Sequence, residues 1–438
     1  MASGQAKNPS EKTLVVVGAG PKAAAISAKA HVLAKLGYPE KVKVVVVERG
    51  VKANNWGGKG GFTDGQCVLG TPPEKDVGFP YNSQYDDSRI DQEMLSYSWQ
   101  AFKLSLKKTA YGDWVDRGRE HPRHIEWSRY INWVLSLAPP TVLIGEVVKV
   151  TPIGDKLQVE TRNRRTRQIM ADGIVFTGPG PAIMLSNLPN DLGDIFDGRN
   201  YWINIPFFVA MSKGNIGLIG GGETAASIAL SLLDLMAAAK GPVFNIDIIN
   251  RHGCIFTRGE SYRENRIFTN PQDWKKLDEV SRMEIIKRTD RGVFSVAAQM
   301  RLNQAERVNV ISGEVLGISR YGSKLVVNMQ RGDPPVGDRK YYDKVIIALG
   351  FDAFNALQLL PSNMRAAYGT PQEKLDLQRS VDDNLRISLD SAQAPPVGEV
   401  NIHMPMLSAL AQGPGYPNLS CLGHLADAIL LKYIKKRP

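Results

Sequence analysis

Near the amino terminus, a short apolar run, a glycine-rich turn and an alanine-rich segment follow one another. Residues 13–17 are apolar and largely β-branched, which favours a strand buried on both faces. The turn 18–23 follows, and the apolar positions up to about Leu36 predict a helix. A second apolar run, 42–47, ends in Glu48. This order predicts the strand, turn, helix and strand of a dinucleotide-binding fold.

Three small residues and one acid give this unit its predicted chemistry. Gly18 permits a tight turn, a side chain at Gly20 would block a pyrophosphate, and Ala23 allows helix and strand to approach closely. A phosphate is favoured at the helix N-terminus. Glu48 can accept hydrogen bonds from the ribose hydroxyls of adenosine and would repel a 2′-phosphate, which predicts FAD at this site.

The same pattern returns in the second half of the chain. A strand at 215–219, a glycine turn, an apolar helix at 226–239 and a strand at 244–250 follow in order. Arg251 then stands where the first unit has Glu48, and its guanidinium can pair with a 2′-phosphate. We therefore predict NADPH here, with an ordinary loop arginine as the alternative for Arg251. The cofactor-binding candidates of this turn are Gly220, Gly222, Thr224 and Glu223, the last favoured as a helix N-terminal residue.

Two more apolar strands, 171–180 and 342–351, resemble the segments that carry a chain between two nucleotide domains. We place the crossings just after Gly180 and near Gly350, a further cofactor-binding candidate. Antiparallel elements are expected from Val147 to Thr161 and from Val315 to Met329.

The predicted fold class is α/β, with two Rossmann-like domains and a small, mostly helical substrate-binding part. The FAD domain is discontinuous, and the NADPH domain is inserted into it with the helical part at about 256–300. The predicted domain ranges are 1–205 and 336–438 for FAD and 206–335 for NADPH.

Composition narrows the possible environment and partners. The 438 residues include 54 Lys and Arg against 44 Asp and Glu, a formal charge of +10 that suits phosphorylated cofactors. The basic run from Arg162 to Arg167 has no interleaved aromatic residue, and nucleic acid is not expected as a partner. The three cysteines form no C-x-x-C pair, and there is no long apolar run, which favours a cytoplasmic protein without a membrane segment. No metal site is expected, and His121 and His124 are interpreted as surface or cap residues.

Five longer motifs suggest a particular family. The chain lacks the redox cysteine pair of disulfide reductases and the fingerprint of Baeyer-Villiger monooxygenases. It resembles the lysine N6-hydroxylases of mycobactin-type siderophore pathways and, more distantly, the ornithine N5-hydroxylases. The motifs that support the resemblance are Thr71–Pro80, Gly220–Ser227, Phe256–Glu260, Thr289–Ser295 and Gln412–Gly423.

The resemblance implies roles for individual residues. Lys75 matches the lysine that holds the substrate α-carboxylate, and Asn265 matches an asparagine that contacts the substrate backbone groups. Trp56 matches a tryptophan beside the flavin, Arg251 matches the arginine that binds the NADPH phosphate, and Ser420 is assigned to cofactor binding. A surface loop for Lys75, a cap or turn for Asn265 and plain core for Trp56 are the alternatives.

The resemblance also implies the reaction. NADPH reduces FAD, the reduced flavin captures O2 as a C4a-hydroperoxide, and the distal oxygen passes to the side-chain nitrogen of a basic amino acid. No catalytic side chain is assigned, because the flavin carries the chemistry. The product would serve siderophore or metallophore assembly, and a homo-oligomer, dimer or tetramer, is expected. The rival hypotheses are another flavin monooxygenase acting on ketones or thioethers and a flavin-bound regulatory or nucleic-acid-binding protein.

The chain departs from the ornithine hydroxylases on the substrate side. Gly70 stands where those enzymes have a glutamine, and Asp290 or Val293 stands where they have an asparagine. An acid such as Asp290 or Glu264 could pair with the distal nitrogen of a longer or more basic side chain. L-Lysine is the first choice of substrate, and L-ornithine and L-arginine stay open.

Overall fold

The computed structural model describes residues 11–58, 62–238, 240–289, 292–364, 368–388 and 400–437. In chain order, strands β1 to β18 are Lys12–Val17, Val42–Glu48, Thr141–Ile144, Glu146–Ile153, Lys156–Arg162, Thr166–Ala171, Gly173–Phe176, Ile195–Asp197, Lys213–Ile219, Val243–Asn250, Phe256–Thr257, Val293–Phe294, Val308–Ser312, Glu314–Tyr321, Lys324–Arg331, Val336–Tyr342, Lys344–Ile347 and Ile402–His403. Helices α1 to α16 are Pro21–Lys35, Asn54–Gly57, Ser88–Met94, Trp99–Ser105, Ala110–Asp116, His124–Leu137, Asn200–Ile203, Ile205–Val209, Glu223–Ala237, Tyr262–Thr269, Pro271–Lys275, Glu279–Thr289, Val296–Leu302, Pro371–Arg379, Ala409–Gln412 and Leu422–Leu430.

The amino-terminal and carboxyl-terminal segments build one parallel sheet together. Its strand order is β18-β7-β1-β2-β3, and all neighbouring strands run parallel. Helix α1 connects β1 to β2 and is buried along most of its length, because alanine side chains let it lie close to the sheet. The first predicted dinucleotide-binding unit is therefore present, and its fold is discontinuous in the chain.

A second parallel sheet has the order β13-β10-β9-β17-β8. Helix α9 connects β9 to β10 and begins at Glu223, three residues before the predicted start, because the turn residue itself forms the first helical position. The predicted α/β class with two Rossmann-like units is confirmed. Strands β8 and β17 belong to this sheet, although the predicted ranges 1–205 and 336–438 assign both to the FAD domain.

The two chain crossings lie against each other. Asp352 donates its backbone N–H to the carbonyl of Pro181 at 2.9 Å, and Ile183 donates to the carbonyl of Gly350 at 2.9 Å. Gly180 has a φ of +88°, and an added Cβ there would collide with the carbonyl of Asp352. Because β8 and β17 lie in the chain between these two crossings and pair in the second sheet, we propose domain boundaries just after Gly180 and near Gly350.

Each parallel sheet has an antiparallel neighbour. Strands β4, β5 and β6 form one three-stranded sheet, and β14, β15 and β16 form the other. The two predicted antiparallel elements are present, each with a third strand that the sequence pattern did not reveal. The segment predicted as an insert is mostly helical and contains α10 to α13 with the short parallel pair β11 and β12.

A buried ion pair fastens the carboxyl-terminal helix to the first dinucleotide-binding unit. Lys29 in α1 lies 2.8 Å from a carboxylate oxygen of Asp427 in α16, and both side chains are 1% exposed. Ser83 donates its hydroxyl to Asp427 at 3.2 Å, and the backbone N–H of Gln84 donates to the other oxygen at 3.0 Å. These additional partners satisfy the carboxylate, which would otherwise be costly to bury.

We predict that breaking this pair on one side destabilises the protein more than removing both charges. Lys29→Met leaves the Asp427 carboxylate buried without its cation and should lower the free energy of unfolding by about 3–5 kcal/mol. The double variant Lys29→Met/Asp427→Leu should recover part of that loss. Urea unfolding followed by circular dichroism measures both. Equal stability of the single variant and the parent would contradict the structural role of the pair.

Candidate active site

One cleft lies at the carboxyl ends of β1 and β2 and has a volume of about 450 Å³. Most of its wall comes from the first dinucleotide-binding unit and from the loop that precedes α16. Three residues of the second unit and the helical insert complete it, namely Glu223, Ser227 and Arg258. The predicted residues that line the cleft are Gly18, Gly20, Glu48, Trp56, Glu223 and Ser420.

The first glycine turn leaves room for a phosphate. Gly18 has a φ of +97°, and an added Cβ would lie 3.0 Å from the hydroxyl of Thr177. At Gly20 no protein atom lies within 4 Å of an added Cβ, so a side chain there would fill the cleft instead. Ala23 is fully buried at the contact between α1 and the sheet. This cradle suits a pyrophosphate at the N-terminus of α1.

Glu48 is held in position by backbone donors. Its two carboxylate oxygens accept the N–H groups of Ala19 at 2.8 Å and Gly50 at 3.1 Å. Each oxygen keeps lone-pair capacity for another donor, such as a ribose hydroxyl. The free cradle at Gly20 and the fixed acid at Glu48 together fit the adenosine diphosphate part of FAD.

Lys22 is a cleft residue that the sequence pattern did not single out. Its ammonium group donates to the carbonyl of Pro417 at 2.7 Å and is buried, and burial lowers its pKa to about 8. The contact links the first glycine turn to the loop that contains Ser420. The sequence pattern could not predict this contact, because Lys22 and Pro417 are 395 positions apart in the chain.

Trp56 and His124 form an edge-to-face pair in the cleft wall. Their ring centroids are 4.9 Å apart, and Nδ1 of His124 lies 3.0 Å from the hydroxyl oxygen of Thr63. Burial lowers the pKa of His124 to about 4, so its ring is neutral at physiological pH. The interpretation of His124 as a surface or cap residue was wrong, because α6 brings the start of its first turn against the cleft. His121 is exposed, and its Nδ1 lies 2.9 Å from the carbonyl of Leu69.

The second glycine turn repeats the geometry of the first. Gly220 has a φ of +137°, and an added Cβ would collide with the carbonyl of Ala348. Its N–H donates to the carbonyl of Ile249 at 2.9 Å, as that of Gly18 does to Val47 at 2.8 Å. Gly222 precedes α9 as its N-cap, and half-buried Thr224 follows within the first turn of that helix. Glu223 is the one residue of the turn that lines the cleft. Desolvation of its carboxyl group there raises its pKa to about 7.

The sheet register shows that Asn250, rather than Arg251, is the residue of the second unit that is structurally equivalent to Glu48 of the first. Val17 pairs with Val47 and Ile219 with Ile249, so the next residue is Glu48 in one unit and Asn250 in the other. The amide oxygen of Asn250 accepts the N–H groups of the two residues at 252 and 253, each at 2.9 Å. Its buried Nδ2 has no partner in the described structure, and the residue lies beside the second glycine turn, where a Cβ added at Gly221 would be 3.6 Å from its own Cβ.

Arg251 follows at the surface. Its side chain is 76% exposed and lies 3.4 Å from a carboxylate oxygen of Glu314. An exposed guanidinium with one weak ion pair is free to turn towards a phosphate. The open turn, the donor of Asn250 and the cation of Arg251 fit a phosphorylated dinucleotide. Gly350, with a φ of +90°, lies at the chain crossing, and its neighbour Phe351, but not Gly350 itself, lines the cleft of the first turn.

The two predicted substrate residues are in direct contact. Nζ of Lys75 donates to Oδ1 of Asn265 at 2.6 Å, although 190 positions separate them in the chain. The amide nitrogen of Asn265 donates to the carbonyl of Glu260 at 2.9 Å, which fixes the orientation of the amide. Lys75 comes from the loop after α2 and Asn265 from α10, so the contact joins the FAD-side loop to the helical insert.

The Lys75 ammonium is buried at 9% exposure. Burial and, to a smaller extent, the nearby Arg258 guanidinium together lower its pKa to about 8. Its neighbour Asp76 is fully buried and accepts hydrogen bonds from the backbone of Trp99 at 2.8 Å and the hydroxyl of Tyr81 at 2.7 Å. Asp76 therefore stabilises the loop that positions Lys75. The surface-loop alternative for Lys75 does not hold.

Glu264 and Asp290 are the two acids considered as partners for the distal nitrogen of the substrate. Glu264 is used in a capping box of α10, because its carboxylate accepts the N–H of Ser261 at 3.0 Å. Asp290 lies outside the described residues, and its role stays a prediction. Val293 is buried in β12, where it offers no polar group, and Gly70 lines the cleft.

Known proteins resemble the chain over nearly its whole length. Residues 96–353 match the model of the L-lysine 6-monooxygenase/L-ornithine 5-monooxygenase family. An L-lysine N6-monooxygenase MbtG from Mycolicibacterium paratuberculosis is 36% identical over 431 residues, 95% of each chain. The chain belongs to this family. The MbtG protein of Mycobacterium tuberculosis H37Rv is 35% identical over 427 residues, covering 95% of this chain and 94% of that one.

Solved structures of amino acid N-hydroxylating enzymes are also similar to this chain. The lysine monooxygenase NbtG from Nocardia farcinica has a TM-score of 0.79 and 33% identity, with 95% of this chain and 99% of that chain covered. The ornithine N-hydroxylase KtzI from Kutzneria sp. 744, a complex with reduced FAD, NADP+ and L-ornithine, has a TM-score of 0.76, 16% identity and coverage of 97% and 99%. At that identity the likeness concerns the fold. The predicted family is confirmed. Within the described ranges, no helix combines the length and apolar character that a membrane crossing needs.

We predict that Arg251 distinguishes NADPH from NADH. Arg251→Gln should raise the KM for NADPH about 10- to 100-fold, the equivalent of one charge-assisted hydrogen bond, and leave the KM for NADH unchanged. Steady-state oxidation of each nucleotide measures this. Glu314→Gln removes the ion-pair partner of Arg251 without touching the phosphate and serves as the control. Equal changes for the two nucleotides would show that Arg251 does not bind the 2′-phosphate.

Proposed function

We propose that the protein is an FAD- and NADPH-dependent monooxygenase that hydroxylates the side-chain nitrogen of a basic amino acid, with L-lysine as the first choice. The observation that carries the proposal is the contact between Lys75 and Asn265 beside the cleft. Two residues that the family uses for an amino acid substrate meet where the FAD-side loop and the helical insert join. The product would be an N-hydroxy amino acid for siderophore or related metallophore assembly.

Bound FAD would supply the redox chemistry, with NADPH as the source of hydride and O2 as the oxidant. The chain has to orient the reactants and exclude water from them. Apolar side chains in the cleft wall serve the second task, including Trp56, Phe351, Met406 and Leu419. The glycine cradles and Glu48 would hold the cofactors against that wall.

The substrate nitrogen must be neutral to react, because an ammonium has no lone pair. A free lysine amine has a pKa of about 10.4, so the pocket must favour its neutral form. The buried cationic side chains Lys22 and Lys75 contribute, because positive charge near the substrate disfavours a second ammonium. The same cations favour a substrate carboxylate, and Lys75 is the residue proposed to hold it.

The choice among basic amino acids and the setting of the enzyme are further parts of the proposal. The family relatives named lysine N6-monooxygenase support L-lysine, with L-ornithine and L-arginine as alternatives. The cysteines Cys67, Cys254 and Cys421 are unpaired, which favours a reducing cytoplasm. We also propose a homo-oligomer, dimer or tetramer, which size-exclusion chromatography with light scattering would test.

The function is tested by the mass of the product. The protein is incubated with FAD, NADPH and air together with L-lysine, L-ornithine or L-arginine separately. We expect a gain of one oxygen atom on the side-chain nitrogen, with L-lysine converted most efficiently. Oxidation of ketones or thioethers but of no amine would favour the rival flavin monooxygenase. Binding to nucleic acid with a steep salt dependence, without any turnover, would favour the regulatory hypothesis.

Lys75 gives a prediction with a pH signature. Lys75→Ala should raise the KM for L-lysine about 10- to 100-fold, because a charge-assisted contact to the carboxylate is lost, while FAD binding stays intact. In the parent, kcat/KM for L-lysine should fall above about pH 8, because Lys75 loses its proton there and can no longer attract the carboxylate.

The control for the pH effect is Lys75→Arg. Its guanidinium stays protonated, so the fall in kcat/KM should move to higher pH. The profile is measured as kcat/KM because that quantity reports the free enzyme. Equal turnover of L-lysine by Lys75→Ala and the parent would remove Lys75 from the substrate site.

A further inference from the structure

Arg258 is a cleft residue that neither the family motif nor the strand pattern assigned. It follows β11 in the helical insert, and its backbone N–H donates to the carbonyl of Phe294 at 2.8 Å. The guanidinium lies 5.1 Å from the ring centroid of Phe268, and Nη2 lies 3.4 Å from the hydroxyl of Ser420. The side chain is therefore positioned at the junction between the insert and the loop before α16.

The guanidinium of Arg258 has no ion-pair partner in the described part of the chain. Among the described residues no carboxylate lies within 4.0 Å of Arg258 or of Lys75. Glu223 and Glu260 are close enough to act through space, but neither forms an ion pair with these cations. The one hydrogen bond from Arg258 to a side chain is long and goes to a neutral hydroxyl.

Both cations lie against the same helix, because Lys75 donates to Asn265 of α10 at 2.6 Å and the guanidinium of Arg258 lies 5.1 Å from the ring centroid of Phe268, three residues further along α10. The positive charge of Arg258 lowers the pKa of the Lys75 ammonium, which shows that they repel each other. Such repulsion costs free energy that an anionic ligand would recover. Thr71, Ser420 and Arg258 line the same cleft, so a ligand can reach the guanidinium from there.

We propose that Arg258 and Lys75 form a two-cation subsite for the α-carboxylate of the substrate, and that this subsite makes the enzyme selective for amino acids over diamines. The inference rests on the proposed function and adds a second residue to it. A guanidinium can bind both oxygens of a carboxylate, whereas the Lys75 ammonium acts as a point charge. Ser420, which now accepts from Arg258, keeps the fork directed at the cleft.

The subsite also links the two halves of the molecule. Lys75 lies on the FAD-side loop, and Arg258 lies on the insert of the second unit. A carboxylate bound between them would bridge both parts, as the contact between Lys75 and Asn265 already does. A bound carboxylate would therefore add a second link between the FAD-side loop and the insert.

The test compares L-lysine with cadaverine, the diamine that lacks the carboxylate. Arg258→Gln should raise the KM for L-lysine about 10- to 100-fold, because one charge-assisted interaction is removed. Its kcat/KM for cadaverine, its KM for NADPH and its FAD content should equal those of the parent. Hydroxylated products are quantified by mass spectrometry, and NADPH oxidation is followed in parallel.

Two further variants complete the experiment. Arg263→Gln removes an exposed charge from the neighbouring helix α10 and should leave both substrates unaffected. Arg258→Lys keeps the charge without the fork and should weaken L-lysine binding less than Arg258→Gln does. If Arg258→Gln does not retain FAD, the same comparison of the two substrates is made with Arg258→Lys.

Several results would overturn the subsite. An equal loss with L-lysine and cadaverine would show that Arg258 acts through the structure, and a raised KM for NADPH with an unchanged KM for L-lysine would place it at the nucleotide. A parent enzyme that hydroxylates no basic amino acid would instead overturn the proposed function, whatever Arg258 does. A parent that converts L-lysine beside an Arg258→Gln variant with unchanged KM would overturn the subsite alone.

Discussion

Hydride transfer requires the nicotinamide and the flavin to come into contact, so the arrangement of the two parallel sheets decides whether NADPH held by one could reduce FAD held by the other. Each sheet presents a glycine turn at the carboxyl end of one central strand, β1 in one sheet and β9 in the other. The paired crossings at Gly180 and Gly350 join the sheets, and their backbone hydrogen bonds leave no room for side chains at Gly180. As a result the cleft of the first turn also receives Glu223 and Arg258 from the second unit.

The electrostatics of the cleft differ from end to end. At the first glycine turn, Glu48 is fixed by backbone donors and offers acceptors to hydroxyl groups. At the junction with the insert, buried or half-buried cations predominate, and they lack carboxylates within ion-pair distance among the described residues. The first arrangement suits a neutral ribose, and the second suits a carboxylate on a substrate whose reacting nitrogen must lose its proton. Lys75 serves both purposes, because it attracts the carboxylate and discourages a nearby ammonium.

Local sequence patterns predicted the parts of the fold that local chemistry determines. The strand, turn and helix order around Gly18 and Gly220 was confirmed because the turns themselves require glycine. The strand register could not be predicted as well. The sequence pattern placed Arg251 at the position equivalent to Glu48, but the strand pairing places Asn250 at that position. The ranges assigned to the FAD domain also missed that β8 and β17 join the second sheet, since strand pairing depends on tertiary contacts.

The site residues that sequence reasoning missed are those brought together by long-range folding. Lys22, His124 and Arg258 reach the cleft from three separate segments, and a single sequence gives no pattern that connects them. The contact between Lys75 and Asn265 was accessible only through the family resemblance, which gave both residues a common ligand. The motif that contains Arg258 was recognised, but its arginine had no assigned role until its position beside Ser420 was known.

If the two glycine turns hold NADPH and FAD as proposed, NADPH would reduce the bound flavin, and O2 would supply the oxygen atom that is added to the substrate amine. The most direct measurement mixes the FAD-loaded protein with NADPH without oxygen, and then adds isotopically heavy O2 and L-lysine. We predict that NADPH bleaches the oxidised flavin and that the hydroxylated lysine carries one heavy oxygen atom. A flavin that keeps its colour with NADPH, or a product whose added oxygen comes from water, would contradict the account.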